Sequence, residues 1–196
     1  MTGFIRRVVT GHDSNGKAIV ISDGQTPRLT TNPLRPGHRS TEIWKTSATP
    51  VSISASEPDP TLEPRTIQPP KNGTVIRIAE LEPESDALLN VSPEHAREIF
   101  KASGNEKAST WGRGGRHPMM HRTETIDYVI ILEGELVMLL DEGDVLLKQG
   151  DVVIQRGTHH AWSNRSGKKV RLMYVLIDGQ YDDELVTAIE KFGVDE

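Results

Sequence analysis

From residue 119 onward the chain is a series of short runs in which apolar residues recur at about every second position, the periodicity of a strand with one buried face. IDYVIILEGELVMLLD breaks at Glu133-Gly134-Glu135. DVLLKQGDVVIQRGTHHAWSN breaks at Gly150-Asp151 and Arg156-Gly157, and KKVRLMYVLIDG closes the series. Each break carries turn residues. Earlier, TVIRIAEL (74–81) alternates as a strand and TEIWKT (41–46) is a shorter one. FIRRVV and KAIVIS predict a hairpin over 4–22 about the turn residues 10–16. Two segments predict short helices. SPEHAREIFKASG (92–104) opens with a capping Ser92, Pro93 at the first helical position and Glu94 at the positive end of the dipole, and stops at Gly104. YDDELVTAIEKFG (181–193) predicts a C-terminal amphipathic helix. Short strands at regular spacing with glycine turns predict an all-β sandwich or small barrel.

Composition narrows the function classes. The 196 residues, 35% of them hydrophobic, suffice for one modest core. The net charge is −5, and basic residues form no stripe or run, which argues against nucleic-acid and membrane-surface partners. With no cysteine there is no disulfide, thiolate ligand or thiol nucleophile. No stretch approaches the roughly 20 apolar residues of a membrane helix, and the N-terminal residues lack a signal-peptide apolar core. A cytoplasmic location is therefore expected. Residues 48–73 are proline-rich and poor in core material. The segment 1–73 is expected to pack its strands and arm on a barrel (74–180) or on a partner subunit, ahead of the C-terminal helix (181–196).

The chemistry concentrates in HPMMHRTETIDYVIILEGEL, residues 117–136. Period two places His121, Thr123, Thr125 and Asp127 on one face, with Arg122, Glu124, Ile126 and Tyr128 on the other. His117 and Met119 join the first face if the strand begins that early. A second polar cluster, GDVVIQRGTHHAWSN (150–164), puts His160 on one face with Trp162 and Asn164, and turns His159 away. Spacing alone does not join the clusters. WGRGGRHP (111–118) lacks the lysine and helix of a phosphate loop and is expected to be a flexible lid.

The two clusters resemble the paired motifs of the cupin superfamily. The first motif runs glycine, five residues, His-x-His, three or four residues, Glu, six residues, glycine. Gly115, His121, Asp127 and Gly134 fall at those places, with Thr123 for the second His and Asp127 for Glu. In the second motif Gly150, Gly157, His160 and Asn164 fit, with one residue fewer before the glycine and Gln155 for proline.

The resemblance implies a cupin double-stranded β-helix (jelly-roll) barrel with an N-terminal hairpin and arm and two short helices. It further implies a divalent metal (Fe, Mn or Zn) on His121, Asp127 and His160. The departures from the motif leave open a barrel without metal. Two imidazoles and a carboxylate would suit a metal-dependent lyase or isomerase acting on a carbonyl or phenolic substrate, or else a dioxygenase. A non-catalytic binding barrel is the other class. His117 is a candidate acid or base at the barrel mouth. Met119, Thr123, Thr125, Arg156 and Trp162 are candidates to line the substrate pocket. Small cupins are commonly homodimers, which sets the expected partners as a small molecule and a second copy of the chain.

Overall fold

The computed structural model describes residues 4–55 and 57–192. A hairpin of β1 (Arg6–His12) and β2 (Ala18–Gln25) stands apart as its own two-stranded sheet. There follow β3 (Leu29–Thr31), β4 (His38–Thr46), β5 (Thr74–Leu81), α1 (Asp86–Leu89) and α2 (Pro93–Lys101). Then come β6 (Thr125–Glu133), β7 (Glu135–Leu139), β8 (Asp144–Lys148), β9 (Val152–Arg156), β10 (Ala161–Ser163), β11 (Val170–Asp178) and α3 (Asp183–Phe192). The strand and helix positions expected from periodicity are thus occupied. Single 3-10 turns at Pro60–Leu62 and Glu106–Ala108 complete the elements.

Six strands form one antiparallel sheet in the order β3-β4-β5-β11-β6-β9, and β10-β7-β8 forms the facing sheet. Consecutive strands β6 and β7 therefore lie in different sheets, which is the corner of a jelly roll. Gly134 makes that corner. Its φ is +81°, and a Cβ there would lie 3.1 Å from the Lys169 carbonyl, so only glycine turns this tightly against β11. The six-stranded sheet begins earlier than the boundary at residue 74 expected from sequence. β4 pairs with β5 along its whole length, Trp44 against Ile76 and Ser40 against Ala79.

Alternation holds the layers together. β6, TIDYVIILE, buries every second residue from Thr125 to Ile131. Val129 and Ile131 meet Leu136, Met138 and Leu147 from the facing sheet, with Val170 and Leu172 from β11. A second cluster lies under α2, where Ala96, Ile99 and Phe100 cover Ala108 and Met119. The cap of α2 forms as the sequence predicts, with the Ser92 hydroxyl accepting from the His95 N–H.

His159, expected to point outward, is buried. Its ring is bonded to the Thr110 hydroxyl on one side and to Asp141 Oδ1, at 2.5 Å, on the other. It fastens the glycine-rich loop to the β7–β8 turn. Thr110 is itself 1% exposed and also bonds the Met120 carbonyl, so the trio is a clamp rather than a nucleophile. His159→Ala is expected to lower stability by about 2–3 kcal/mol by orphaning the Thr110 and Asp141 partners, measured by urea unfolding, with Asp141→Asn intermediate. An unchanged midpoint in His159→Ala would refute the clamp.

Candidate functional site

The two histidine clusters meet through their backbones. The His121 N–H donates to the His160 carbonyl at 2.9 Å and the His160 N–H returns the bond at 3.0 Å. Residues paired this way across antiparallel chain present their side chains on one face, and the two imidazole centroids lie 4.4 Å apart. Each ring is oriented by its own chain: His121 Nδ1 bonds the Met119 carbonyl at 2.9 Å and His160 Nδ1 bonds the Thr158 carbonyl at 2.8 Å. A carbonyl only accepts, so Nδ1 carries the proton in both and Nε2 keeps its lone pair. Burial holds His121 down to about 4 and His160 well below its usual value. Phe100 of α2 lies 5.2 Å from the His121 ring, and Trp162 lies 5.3 Å from His160.

These rings border a cavity of about 110 Å³ inside the barrel, also lined by Thr123, Asp127, Trp162, Tyr174 and Arg77. Asp127 is 6% exposed, and its Oδ1 has no hydrogen-bond partner. Burial pushes its carboxyl up to about 6, although a hydrogen bond from Thr125 and the charge of Arg77 work the other way. An orphaned, costly carboxylate facing a cavity is a group built for something other than folding.

The six-stranded sheet supplies a charged band that sequence reasoning did not single out. Glu42 faces Arg77 across β4–β5, and Arg77 faces Tyr174 across β5–β11. Arg77 pairs with Glu42 at 3.4 Å and donates to the Thr66 carbonyl at 2.8 Å. Burial lowers Arg77 to about 10 and raises Tyr174 above the usual phenol range. Arg65 reaches Glu42 at 3.9 Å. A signal for Arg77 and Glu42 existed. The inward set of TVIRIAEL is Val75, Arg77, Ala79 and Leu81, an arginine among core residues, and Glu42 shares the buried stretch 40–42 of β4. Arg35, His38 and Arg65 also line the cavity; they come from loops and a strand end, where no periodicity applies.

The expected site residues divide accordingly. His121, Thr123, Asp127, His160 and Trp162 line the cavity. Thr125 stands one step back, its hydroxyl 2.8 Å from that of Thr123. Met119 does not reach the cavity and packs under α2, because the chain turns at residues 117–120, where the Met120 N–H donates to the His117 carbonyl, and the inward parity reaches back only to His121. His117 is no residue of the barrel mouth: it is 4% exposed, with Nε2 against Glu84 Oε1 at 2.9 Å and Nδ1 accepting from the Met119 N–H. Arg156 is exposed on the outer face of β9, opposite the exposed Ile126; Gln155 is the inward residue at that end. The three-ligand metal set is not assembled. Among the described residues no three His, Asp or Glu side chains are grouped to hold an ion. Asp127 approaches from inside β6 with the short side chain that replaces the motif's Glu, and only the two imidazoles stand together.

Comparison with known proteins agrees with the architecture. Residues 110–176 match the Cupin_2 model, described as a cupin domain. The phomopsin biosynthesis cluster protein D of Diaporthe leptostromiformis is 33% identical over 103 residues, 50% of this chain and 54% of that protein. Protein C' of the same cluster is 35% identical over 89 residues, 43% of this chain and 47% of that one. The chain thus spans about half the length of these relatives. The cupin-domain-containing oxidoreductase virC of Hypocrea virens is 29% identical over 185 residues, covering 88% of this chain and 75% of virC. The matched segment carries both histidine motifs and most of the jelly roll that joins them, and residues 110–176 form a cupin domain.

Proposed function

We propose that the barrel cavity is the site of a small-molecule enzyme of lyase or isomerase type, in which Asp127 moves a proton on a carbonyl or phenolic substrate. The observation that carries this reading is the buried carboxyl with an unpartnered oxygen, lifted to about 6 beside the cavity. A base of that strength operates near neutral pH. For a carbonyl substrate, Asp127 takes the proton from the carbon next to the carbonyl. The electron pair of the broken C–H bond moves to the carbonyl oxygen, giving an enolate. The proton then returns at another carbon, or a group leaves from the neighbouring carbon as the carbonyl re-forms. The Nε–H of Arg77, buried without a partner on the cavity wall, stabilises the negative oxygen. The Nε2 lone pairs of His121 and His160 accept hydrogen bonds from substrate hydroxyls.

Hydrogen–deuterium exchange at carbon, followed by NMR over a panel of carbonyl and phenolic compounds, tests this reading. The protein is expected to catalyse exchange in at least one of them, with a rate that rises as pH passes through about 6, where Asp127 loses its proton. Asp127→Asn is expected to lose at least about 100-fold. Exchange at the parent rate in Asp127→Asn would overturn the proposal.

The same carboxyl has a stability signature. Its folded value lies above its unfolded value of 3.8, so the folded state holds the proton more tightly, and stability is lost as pH rises from about 4 to 6. Asp127→Asn is therefore expected to be more stable than the parent at pH 7, by about 2–3 kcal/mol. The difference should shrink toward zero by pH 4 in parallel urea titrations. A difference independent of pH would show that the variant acts through packing.

A second reading is favoured by the paired imidazoles and by relatives whose names call them oxidoreductases. In that reading a divalent ion completes the site and the chemistry is oxidative, as in a dioxygenase. Metal analysis of the purified protein decides between them. A near-stoichiometric ion, lost in folded His121→Ala and His160→Ala alike, would replace the proton-transfer reading with the metal-dependent one.

A further inference from the structure

A second cavity, of about 310 Å³, lies between the 33–38 segment and α1, and it shares Arg35, His38, Leu81 and Trp162 with the inner one. Its walls include the apolar residues Leu34, Pro36, Leu88 and Val91. The two cavities adjoin along these shared residues, with Arg35 between them, and the outer lobe mixes these apolar side chains with Glu82 and Glu84.

Arg35 is the guanidinium in this space left without a partner. Arg77 is held by Glu42 and the Thr66 carbonyl, and Arg65 by Glu42. Arg35 makes no side-chain hydrogen bond or ion pair among the described residues. Burial disfavours its charge, and the groups that act on it most are Tyr174 and Glu84, which favour the charge, and Arg65, which opposes it. Its backbone is fixed nonetheless. The Arg35 N–H donates to the Asn32 carbonyl at 2.9 Å, and Asn32 Nδ2 donates to the Ile99 carbonyl of α2 at 3.1 Å. The imidazole of His95 bonds the Leu34 carbonyl at 3.1 Å. A guanidinium on a fixed stretch of backbone between two cavities, with no side-chain partner among the described residues, is suited to hold an anion.

We propose that Arg35 binds a carboxylate group of the ligand and so selects small organic acids with an apolar body. The body fills the outer lobe, and the atoms next to the carboxylate reach Asp127 and the imidazole pair. One free guanidinium matches one carboxylate, which it can take bidentately. A phosphate dianion would want further donors, and Arg77 Nη2 and Arg65 Nε face Glu42. This deepens the proton-transfer reading, on which it rests, by naming the substrate class.

Binding measured by titration calorimetry and ligand-observed NMR tests it without turnover. The probes are phenylacetate and 3-phenylpropionate, their neutral amides, and benzyl phosphate. The acids are expected to bind about 10-fold or more tighter than the amides. Arg35→Met, which keeps the length and removes the charge, is expected to weaken the acids by about 30-fold or more and leave the amides within about twofold. Arg35→Lys should recover part of the loss. Asp127→Asn should keep acid binding while losing carbon exchange, so that a failed base and a failed anion site are told apart. The proposal is overturned if no acid binds, if acids and amides bind alike, if Arg35→Met binds acids as the parent does, or if benzyl phosphate is preferred.

Discussion

Two backbone hydrogen bonds between His121 and His160 organise the interior. They join a loop residue that leads into β6 to one that leads into β10, and so help tie the six-stranded sheet to the facing one. Because the pairing is reciprocal, both side chains emerge on the same face. Because each Nδ1 is already bonded to a carbonyl two residues away, neither ring can rotate without losing a bond in a buried place. The rings are fixed before any ligand arrives, and such preorganisation keeps the cost of ordering out of the binding event. The aromatic chain from Phe100 through the two imidazoles to Trp162 and Tyr174 follows from this bridge.

Against that rigid pair the opposite wall carries charge. Replacing Glu42, Arg77 and Asp127 by apolar residues of similar volume would in general be neutral or favourable to stability, since desolvating buried ions offsets most of their attraction. The orphaned oxygens of Asp127 and Glu42 and the unpartnered Nε of Arg77 show that the band is incompletely satisfied. A core selected for stability alone would not retain it. The band makes sense as the polar wall of a site, with the stability it costs drawn from the apolar layers of β6, β7 and β11.

Much of this was legible in the chain, and the limit of legibility is physical. Alternation located β5, β6 and β11, and the Ser92 and Pro93 signals located α2. Period two also put His121 and Asp127 on the inward face. Alternation failed where the chain stops being a strand. Met119 and His117 share the parity of His121 but belong to the turn at 117–120, and so fall under α2 and against Glu84. Arg156, a candidate for the pocket, lies on the outer face because its neighbour Gln155 holds the inward place, and one residue reverses the face in a strand. His159 does point away from the cavity, yet it ends in a buried clamp, since the far side of that strand end is covered by the glycine-rich loop. The motif resemblance proposed three metal ligands from spacing, but spacing cannot measure whether Asp127, a methylene shorter than Glu, reaches two imidazoles. Arg35 was beyond reach altogether, because its place depends on a loop folded back by more than 60 residues' separation onto α2.

That helix links the parts of the site. Ile99 holds Asn32 and His95 holds Leu34, which fixes the Arg35 segment, while Phe100, next to Ile99, packs on His121. One nine-residue helix thus supports the junction cation and one of the two imidazoles. It is anchored underneath by Ala108 and Met119, the residue whose carbonyl orients the same imidazole. Displacing α2 would move Arg35 and uncover His121 in one step, whereas β6, which carries Asp127, is paired on both sides and would stay in place. The cavity therefore has a fixed wall holding the carboxyl and a wall of loop and helix holding the cation. If access to the inner lobe requires motion, the geometry assigns it to the helix side, where the contacts are a few hydrogen bonds and ring packing rather than a strand ladder.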